Sequence, residues 1–384
     1  MKVLVIGGMG VIGGAITKAA AENNYDVFVV SRRELSPDWE ALGVKGISGD
    51  WKNDEFAKNT AKMGFDVIVD TQVFDEKQLI RSMNITDGHC KQYIYISTDS
   101  VYKHPAVNLR EDDKIDYKDI YWDYGIKKRD AELYLINNGD KYEFDWTCIR
   151  PTITFGDTRI PVGYSSKRST YTLVDRIISG KPILRFDEAN SRHAVCHTSI
   201  FGNAAIRLFL NEKAYGQFFH ISDDHAFTYD EIFVAIEKIV GTKGFYVKVP
   251  TECVKKYNRS VFEEMVYDKN PDFVLDNSKI KSVAPDVNYH ADIETVMRST
   301  LTYIQNHSIG DDDEYNLITD NILLDQFDNI EDKLIKQKVQ QYISTIPKEY
   351  KIELRKFKKK KRIDNLLYPL KKCKRHIKEK FLDK

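Results

Sequence analysis

Tyr124 and Lys128 are the residues whose types and spacing most directly suggest acid–base chemistry in this chain. They lie four positions apart, so on a helix their side chains share one face. A lysine held there lowers the pKa of a tyrosine phenol from about 10 towards neutrality, which allows Tyr124 to take up or release a proton. Because such a pair arises easily by chance in a chain with 22 tyrosines, its weight depends on the elements that position it.

The first of these elements is the N-terminal stretch MKVLVIGGMGVIGG. The apolar run 3–6 predicts a strand buried on both faces, and a helix-favouring run, 15–22, follows the glycines. Their GxxGxxG spacing suits a tight turn, close approach of the backbone to a pyrophosphate, and close packing of helix against strand. We therefore predict that a dinucleotide binds at the N-terminus of this helix. The residues expected to contact it are Gly7, Gly10, Val11, Ile12 and Gly13.

The end of the second predicted strand, 26–30, bears on which dinucleotide is bound. An acidic residue there would bind the ribose 2′-OH of NAD, whereas an arginine suits the 2′-phosphate of NADP. Ser31 occupies the acid position and is followed by Arg32 and Arg33. The sequence therefore favours NADP slightly and leaves NAD open, since two solvated surface arginines would give the same pattern. Asp50, after a third strand, is expected near the adenine.

Strands alternate with helical stretches through the first 150 residues, with further strands at 65–70 and 91–97. This alternation predicts an α/β fold of the Rossmann type, a doubly wound parallel sheet covered by helices on both faces. Ligands of such sheets bind outside the carboxyl ends of the strands. Thr98 and Asp99, which follow the fifth strand, should therefore face the cofactor crevice. A helix is predicted at 129–137, directly after Lys128.

Four motifs resemble, in their order and spacing, those of the extended short-chain dehydrogenase/reductase family, which is best known for nucleotide-sugar epimerases and dehydratases. They are GGMGVIG, STDSVY, YGIKK and Ile149-Arg150-Pro151. Four further segments are similar to the substrate-binding region of this family, namely 171–182, 195–203, 218–233 and 276–279. A closing helix is predicted after them at 293–306. The resemblance covers residues 1–307. It implies a cofactor-binding part, 1–150, and a smaller C-terminal substrate-binding part, 151–307. The implied activity is NAD(P)-dependent hydride transfer of the epimerase/dehydratase type on a nucleotide-sugar or similar hydroxyl/keto substrate.

The resemblance also implies roles for individual residues. Thr98 would hydrogen-bond the reacting hydroxyl or carbonyl, and Tyr124 would take or give its proton. Lys128 would hold the nicotinamide ribose and tune Tyr124. Arg192 matches an arginine that grips the substrate's diphosphate, although a surface ion pair is an equal alternative. A homodimer formed through two helices of each subunit is implied by the family alone.

Departures from the family pattern leave the reaction open. Asp99-Ser100 stands where the dehydratases have Asp-Glu, and the missing glutamate argues against a standard 4,6-dehydratase. Asp99 itself is either a catalytic acid or a solvated turn residue. Ile153 and Phe201 stand where an asparagine and an aspartate are usual. The first alternative to an epimerase is an NADPH-consuming keto-sugar reductase. The second, from another class, is a catalytically retired nucleotide-binding protein that binds RNA or a partner.

The composition, 42% hydrophobic and 30% charged, is that of a soluble globular protein, and no apolar run is long enough to span a membrane. Five scattered cysteines predict reduced thiols and a cytoplasmic location. His197 lies near His193 and Cys196, but the three do not have metal-ligand spacing, so no metal site is predicted.

The C-terminal region differs in charge from the rest of the chain. Residues 308–329 are predicted as an acidic linker and 330–384 as a helical basic tail. From Lys348 onward there are sixteen basic and five acidic residues, a net charge of +11 in a chain whose total is zero. We expect these amphipathic helices to pack on the acidic body or on another subunit. Weak contact with an anionic membrane surface is the alternative, and nucleic acid is not expected.

Overall fold

The computed structural model describes residues 1–115, 122–166, 168–186, 191–307 and 312–381, with side chains described up to residue 367. Its strands are β1 (Lys2–Ile6), β2 (Asp26–Ser31), β3 (Lys45–Ser48), β4 (Phe65–Asp70), β5 (Cys90–Ile96), β6 (Ala106–Leu109), β7 (Asp145–Pro151), β8 (Ile153–Phe155), β9 (Pro182–Arg185), β10 (Arg192–His197), β11 (Gln217–Ile221), β12 (Ala226–Thr228), β13 (Phe245–Lys248) and β14 (Phe273–Leu275). Its α-helices are α1 (Val11–Glu22), α2 (Pro37–Ala41), α3 (Asp54–Ala61), α4 (Glu76–Thr86), α5 (Asp123–Asn138), α6 (Tyr171–Ile178), α7 (Thr198–Ile206), α8 (Tyr229–Val240), α9 (Glu252–Lys255), α10 (Arg259–Glu264), α11 (Ser278–Val283), α12 (Ile293–Asn306), α13 (Asp313–Gln326), α14 (Lys333–Thr345) and α15 (Lys348–Phe381).

The chain forms two compact units, and the first consists of residues 1–161, 192–228 and 271–303. Its main sheet has seven strands in the order β11-β7-β5-β4-β1-β2-β3, and every neighbouring pair is parallel. The order runs outward in both directions from β1, which is the doubly wound arrangement. The predicted Rossmann-type α/β fold is therefore confirmed. A second sheet in this unit has the order β12-β10-β14-β6, with β8 paired to β10.

Strand β1 shows why the sheet is covered on both faces. Successive side chains of a strand point to opposite faces, so an apolar run of four residues needs two cores. Val3 and Val5 pack in the core that includes residues of α1 and α7, whereas Leu4 and Ile6 pack in the core that includes residues of α3 and α4. All four side chains are fully buried, and each such burial stabilises the fold by about 2 kcal/mol.

The strands predicted at 26–30, 65–70 and 91–97 agree within one residue with β2, β4 and β5, and the largest difference in this part of the chain concerns α5. The sequence predicts this helix from residue 129, but α5 begins at Asp123 after an extended Trp122. Asp123 lies in the first turn, where a carboxylate is stabilised by the helix dipole. Tyr124 and Lys128 are therefore both helical, as the acid–base hypothesis requires.

The second unit consists of residues 162–191, 229–270 and 304–384. It contains a parallel pair of strands, β13 and β9, together with helices from α6 to α15. Its core brings together side chains far apart in sequence, among them Tyr164, Leu184, Val254, Ile318 and Val339. Among the described residues, no helix combines the length and the apolar composition needed to cross a membrane.

The predicted acidic linker at 308–329 contains helix α13, so the prediction was wrong for residues 313–326. Leu317, Ile318, Ile322 and Leu323 are buried among the acidic residues at spacings typical of one helix face. Asp312 caps the helix by accepting a hydrogen bond from the Glu314 amide at 3.0 Å. Residues 308–311 lie outside the described residues. Helices α14 and α15 occupy most of the predicted helical tail.

Candidate functional site

The glycine turn between β1 and α1 has the backbone geometry that the sequence predicts. Gly7 has φ +79°, a conformation that side chains with a Cβ rarely adopt, and a Cβ there would lie 2.3 Å from the Thr71 Oγ1. A Cβ on Gly13 would lie 2.3 Å from the Gly7 carbonyl oxygen. Gly10, at the N-cap of α1, supplies no capping side chain. The first amides of α1 are therefore suited to hold a phosphate.

A cavity of about 500 Å³ opens at the carboxyl ends of β1, β2 and β4, next to this turn. The predicted cofactor residues that line it are Gly7, Gly10, Ser31, Arg32, Arg33 and Asp50. Val11, Ile12 and Gly13 are not in its wall. Other lining residues were not predicted, among them Met9, Trp51, Lys52, Asp70, Gln72, Gln78, Arg81 and Ser82. Met9, Trp51, Lys52, Asp70 and Gln72 lie at or just after the carboxyl ends of β1, β3 and β4, so the rule that ligands bind there would have found them, whereas the others lie on α4.

Basic side chains dominate the rim of this cavity. Arg32 and Arg33 are exposed, and the Ser31 hydroxyl accepts a hydrogen bond from the Arg33 amide at 3.0 Å, which fixes the turn that follows β2. Arg81 donates to the Trp51 carbonyl at 2.8 Å. A ligand with an extra phosphate near the end of β2 would meet positive charge there.

A buried carboxylate, Asp70, lies at the inner end of the cavity and was missed in the sequence. Its Oδ2 accepts hydrogen bonds from the Ser82 hydroxyl at 2.5 Å and the Tyr93 hydroxyl at 3.1 Å, and its Oδ1 accepts from the Gln72 amide at 2.8 Å. Burial raises the pKa of Asp70, and these hydrogen bonds oppose the rise. Its position at the carboxyl end of β4 was the available signal.

Lys128 is a buried cation whose amine joins two elements of the site. Its Nζ donates to the Val73 carbonyl at 2.5 Å and to the Ile96 carbonyl at 2.8 Å. Val73 lines the cavity, and Ile96 ends β5. Burial lowers the pKa of Lys128 to about 8, and nearby acidic groups including Asp70 oppose this lowering. The amine is therefore mostly charged at pH 7 although only 2% of the residue is exposed.

The Tyr124 side chain lies in the same neighbourhood. The ring of Tyr95 lies 4.9 Å from the Lys128 Nζ. Burial is the main cause that raises the pKa of Tyr95, and the Tyr124 phenol is among the neighbouring groups that add to it. Tyr124 itself is half-buried and packs against Trp122 with ring centroids 5.0 Å apart.

The segment after β5 is a buried polar turn. The Thr98 hydroxyl accepts a hydrogen bond from the Ser100 amide at 3.2 Å and lies 3.2 Å from the Asp99 Oδ1. Thr98, Asp99 and Ser100 are each only 6% exposed. Asp99 is therefore not the solvated turn acid that the sequence left open as an alternative. The turn places three small polar side chains beside the strand end that Lys128 contacts.

A buried ion pair fixes α5 against the sheet. The Arg150 guanidinium on β7 binds the Glu132 carboxylate on α5 with a closest separation of 2.7 Å, and both side chains are at most 2% exposed. Arg150 also donates to the Glu111 carbonyl at 2.9 Å. Because Glu132 lies one turn after Lys128, the pair holds the face of α5 that carries Lys128 in place. The sequence showed Arg150 only as part of a motif.

The remaining predicted positions lie elsewhere in the first unit. Arg192 is exposed at the start of β10, where its amide donates to Asp272 at 2.7 Å, and it is not in the wall of the cavity. The His197 Nδ1 lies 2.8 Å from the Ser199 hydroxyl at the start of α7. Ile153 and Phe201 are buried core residues. Within the described part of the chain, no three His, Cys, Asp or Glu side chains are grouped to hold a metal ion.

Comparisons with known proteins agree with this geometry. The model of the NAD dependent epimerase/dehydratase family matches residues 3–214. A curated relative, the chloroplast stem-loop binding protein of 41 kDa b from Arabidopsis thaliana, is 25% identical over 254 residues, which are 62% of this chain and 63% of that protein. The alignment thus spans less than two thirds of that relative.

Two similar solved structures are enzyme complexes. The UDP-glucuronic acid 4-epimerase from Bacillus cereus, with UDP-glucuronic acid and NAD, has a TM-score of 0.64 at 16% identity and covers 80% of this chain and 100% of its own. The dTDP-glucose 4,6-dehydratase from Bacillus anthracis, with NAD, has a TM-score of 0.64 at 15% identity and covers 80% of this chain and 97% of its own. These likenesses show the shared fold. Because the family match extends over more than half of the chain, the protein belongs to the NAD dependent epimerase/dehydratase family, a family of enzymes of the extended short-chain dehydrogenase/reductase type.

Proposed function

We propose that this protein catalyses hydride transfer at a hydroxyl or keto carbon of a nucleotide-sugar or similar substrate, with Thr98, Tyr124 and Lys128 as the catalytic set. The observation that carries the proposal is the position of the Lys128 amine. It links the cavity wall at Val73 to the end of β5, two residues before Thr98. When bound, a nicotinamide cofactor supplies the hydride acceptor or donor.

The glycine turn and the cavity fit such a cofactor. The close approach of Gly13 to the Gly7 carbonyl excludes even a methyl group, as close packing of α1 against the turn requires. Ser31, Arg32, Arg33 and the exposed Asp50 would surround the adenosine end. Lys128 would hold the nicotinamide ribose in place of the two carbonyls that it now contacts.

The chain's own residues then divide the proton transfer between them. The buried Lys128 cation favours the ionised form of a nearby phenol, since opposite charges attract strongly where water is excluded. Tyr124 would take the proton of a substrate hydroxyl, or return it to a keto oxygen, as the general acid–base catalyst. Thr98 would orient that oxygen by a hydrogen bond. Buried Asp99 is the candidate for a second acid–base group.

Within this proposal, NADP is favoured over NAD. Support comes from the exposed Arg32 and Arg33 at the cavity and from Ser31 at the position where an acid would recognise NAD. We expect Arg32→Ser/Arg33→Ser to weaken NADPH binding by tenfold or more, while NADH binding changes little. Calorimetric titration of both nucleotides measures this, with Lys62→Ser as a matched loss of an exposed cation away from the cavity. Equal losses of affinity for NADPH and NADH would contradict the preference for NADP.

The proposed catalytic role is tested with Tyr124→Phe. UDP-glucuronic acid, UDP-glucose and dTDP-glucose serve as probes, and product formation or transient reduction of bound NAD⁺ or NADP⁺ serves as the readout. We expect Tyr124→Phe to reduce turnover by about 10²-fold or more, the range of general acid–base catalysis, with cofactor binding retained. Tyr134→Phe, on the same helix and hydrogen-bonded to Tyr142 at 2.9 Å, is the matched control. Undiminished turnover in Tyr124→Phe would exclude the assigned role.

A second candidate function follows from the curated relative, which is named for binding a stem-loop. By analogy, the protein would be a nucleotide-binding protein that recognises structured RNA and has no catalytic role. The distinguishing measurement is fluorescence anisotropy of a labelled stem-loop RNA titrated with the full chain at two salt concentrations, since phosphate contacts weaken as salt rises. Salt-sensitive binding without turnover of any probe would favour this candidate. Turnover without RNA binding would remove it.

A further inference from the structure

Helix α15 presents two faces of different chemistry in the second unit. One face packs on that unit through the buried Leu354, the ion pair between Lys361 and Glu314 at 2.6 Å, and the hydrogen bond from the Asn365 amide to the Lys256 carbonyl at 2.6 Å. These contacts recur at the spacing of one helix face. The helix is therefore anchored along its described length, and its opposite face points away from these contacts.

That opposite face, here called the α15 outer face, combines exposed aliphatic and cationic side chains. Its described members are Ile352, Arg355, Lys356, Lys359, Lys360, Arg362, Ile363, Leu366 and Leu367, with Glu353 as the one acid among the exposed positions from 352 to 367. Leu366 is 78% exposed, Ile352 51% and Ile363 49%. Large aliphatic side chains so exposed on a folded helix mark a surface that meets a partner.

The four exposed aliphatic side chains of the outer face gather on one arc of the helix. At about 100° per residue, Ile352, Ile363, Leu366 and Leu367 lie within about 100° of one another around the helix axis. Lys356 and Lys359 lie within this arc, whereas Arg355 and Arg362 lie at one border and Lys360 at the other. On a face where aliphatic and long cationic side chains are interleaved, the aliphatic groups can insert between lipid headgroups while the lysine and arginine side chains extend to the phosphates. The described outer face extends over about 22 Å, at 1.5 Å per residue.

We propose that the α15 outer face binds the surface of an anionic lipid bilayer, with the helix lying parallel to it. A second copy of the chain fits poorly, because a symmetric contact would bring five cations against five cations. RNA fits less well, because the described outer face offers no aromatic side chain for base stacking. This inference does not depend on the proposed catalytic function.

The test is flotation of the full chain with vesicles of phosphatidylglycerol and phosphatidylcholine, compared with phosphatidylcholine alone. We expect binding only to the anionic vesicles, and at least tenfold weaker binding when salt is raised from 0.05 to about 0.5 M. Leu366→Asn/Leu367→Asn should weaken partitioning by about tenfold or more, because two aliphatic side chains no longer leave water. Leu334→Asn, which alters a residue 62% exposed on α14, is the matched control and should leave partitioning unchanged.

Both outer-face residues are exposed, so the variants should keep the fold, and circular dichroism together with urea unfolding verifies it. Equal flotation of wild type and Leu366→Asn/Leu367→Asn would overturn the proposal. So would failure of the wild type to float with anionic vesicles. Binding of a stem-loop RNA without vesicle binding, or salt-sensitive self-association, would assign the face to those partners instead.

Discussion

Replacing Lys128 with methionine should change how the stability of the first unit depends on pH. In the folded protein burial lowers the pKa of Lys128 from 10.5 to about 8, because a charged amine is costly away from water. In the unfolded chain the amine regains its ordinary pKa. The folded state therefore loses its proton first as pH rises.

The size of the effect follows from proton linkage. Below pH 8 both states are protonated, and the folded state carries a penalty of about 3 kcal/mol at 1.36 kcal/mol per pH unit. Between pH 8 and 10.5 only the unfolded state holds the proton, so stability rises with pH. From pH 7.5 to 9.5 the wild type should gain about 2 kcal/mol relative to Lys128→Met.

Urea unfolding followed by tryptophan fluorescence measures this difference. All four tryptophans, at positions 39, 51, 122 and 146, belong to the first unit, so the signal reports on the part that holds Lys128. Lys128→Met also loses two hydrogen bonds, but this loss lowers the stability of the variant equally at both pH values. It therefore cancels when the pH dependence of the two proteins is compared. Lys127→Met, which removes a half-exposed amine from the same helix, is the matched control and should follow the wild type.

The refuting result is a constant difference between wild type and Lys128→Met across this pH range. It would mean that the amine keeps its ordinary pKa, that it is hydrated, and that it cannot act as the buried cation assigned to tune Tyr124. If the stability of the wild type relative to Lys128→Met fell as pH rises, that result would contradict a lowered pKa of Lys128.

Two further predictions concern the glycine turn and the second unit. Gly13→Ala should reduce NADPH affinity at least tenfold in calorimetric titration, because its methyl group would meet the Gly7 carbonyl at 2.3 Å; unchanged affinity would show that the turn does not contact the cofactor. Asp320→Ala should destabilise the second unit by about 3–5 kcal/mol, because it leaves the Arg176 guanidinium buried without the carboxylate that lies 2.7 Å away. Urea unfolding followed by circular dichroism, compared with the tryptophan fluorescence that reports on the first unit, measures this loss, and a loss below 1 kcal/mol would refute the burial argument.

Local patterns in the sequence predicted the part of the fold that depends on local rules. The apolar run of β1, the glycine spacing and the alternation of strands with helices were sufficient for the parallel sheet and its first turn. The fourth strand, predicted at 65–70, has those bounds in the structure. These features depend on neighbouring residues alone, which is why a single sequence reveals them.

Features that depend on distant partners were missed. Asp70 is held by Ser82 and Tyr93, and Arg150 by Glu132, so their importance appears only when separate elements come together. The α13 segment was predicted as a linker because its acidic residues outweighed the spacing of its apolar ones. Its burial depends on packing against residues more than a hundred positions earlier, such as Tyr164.

The most direct test of the central claim is identification of the nucleotide bound to the purified protein. The protein is denatured, the released small molecules are analysed by absorbance and mass spectrometry, and protein that releases none is titrated with NADH and NADPH. We expect a released nicotinamide dinucleotide or saturable binding of one, with NADPH bound more tightly. If no nicotinamide nucleotide is released and neither binds, the cavity beside the glycine turn is not a cofactor site, and the hydride-transfer proposal fails.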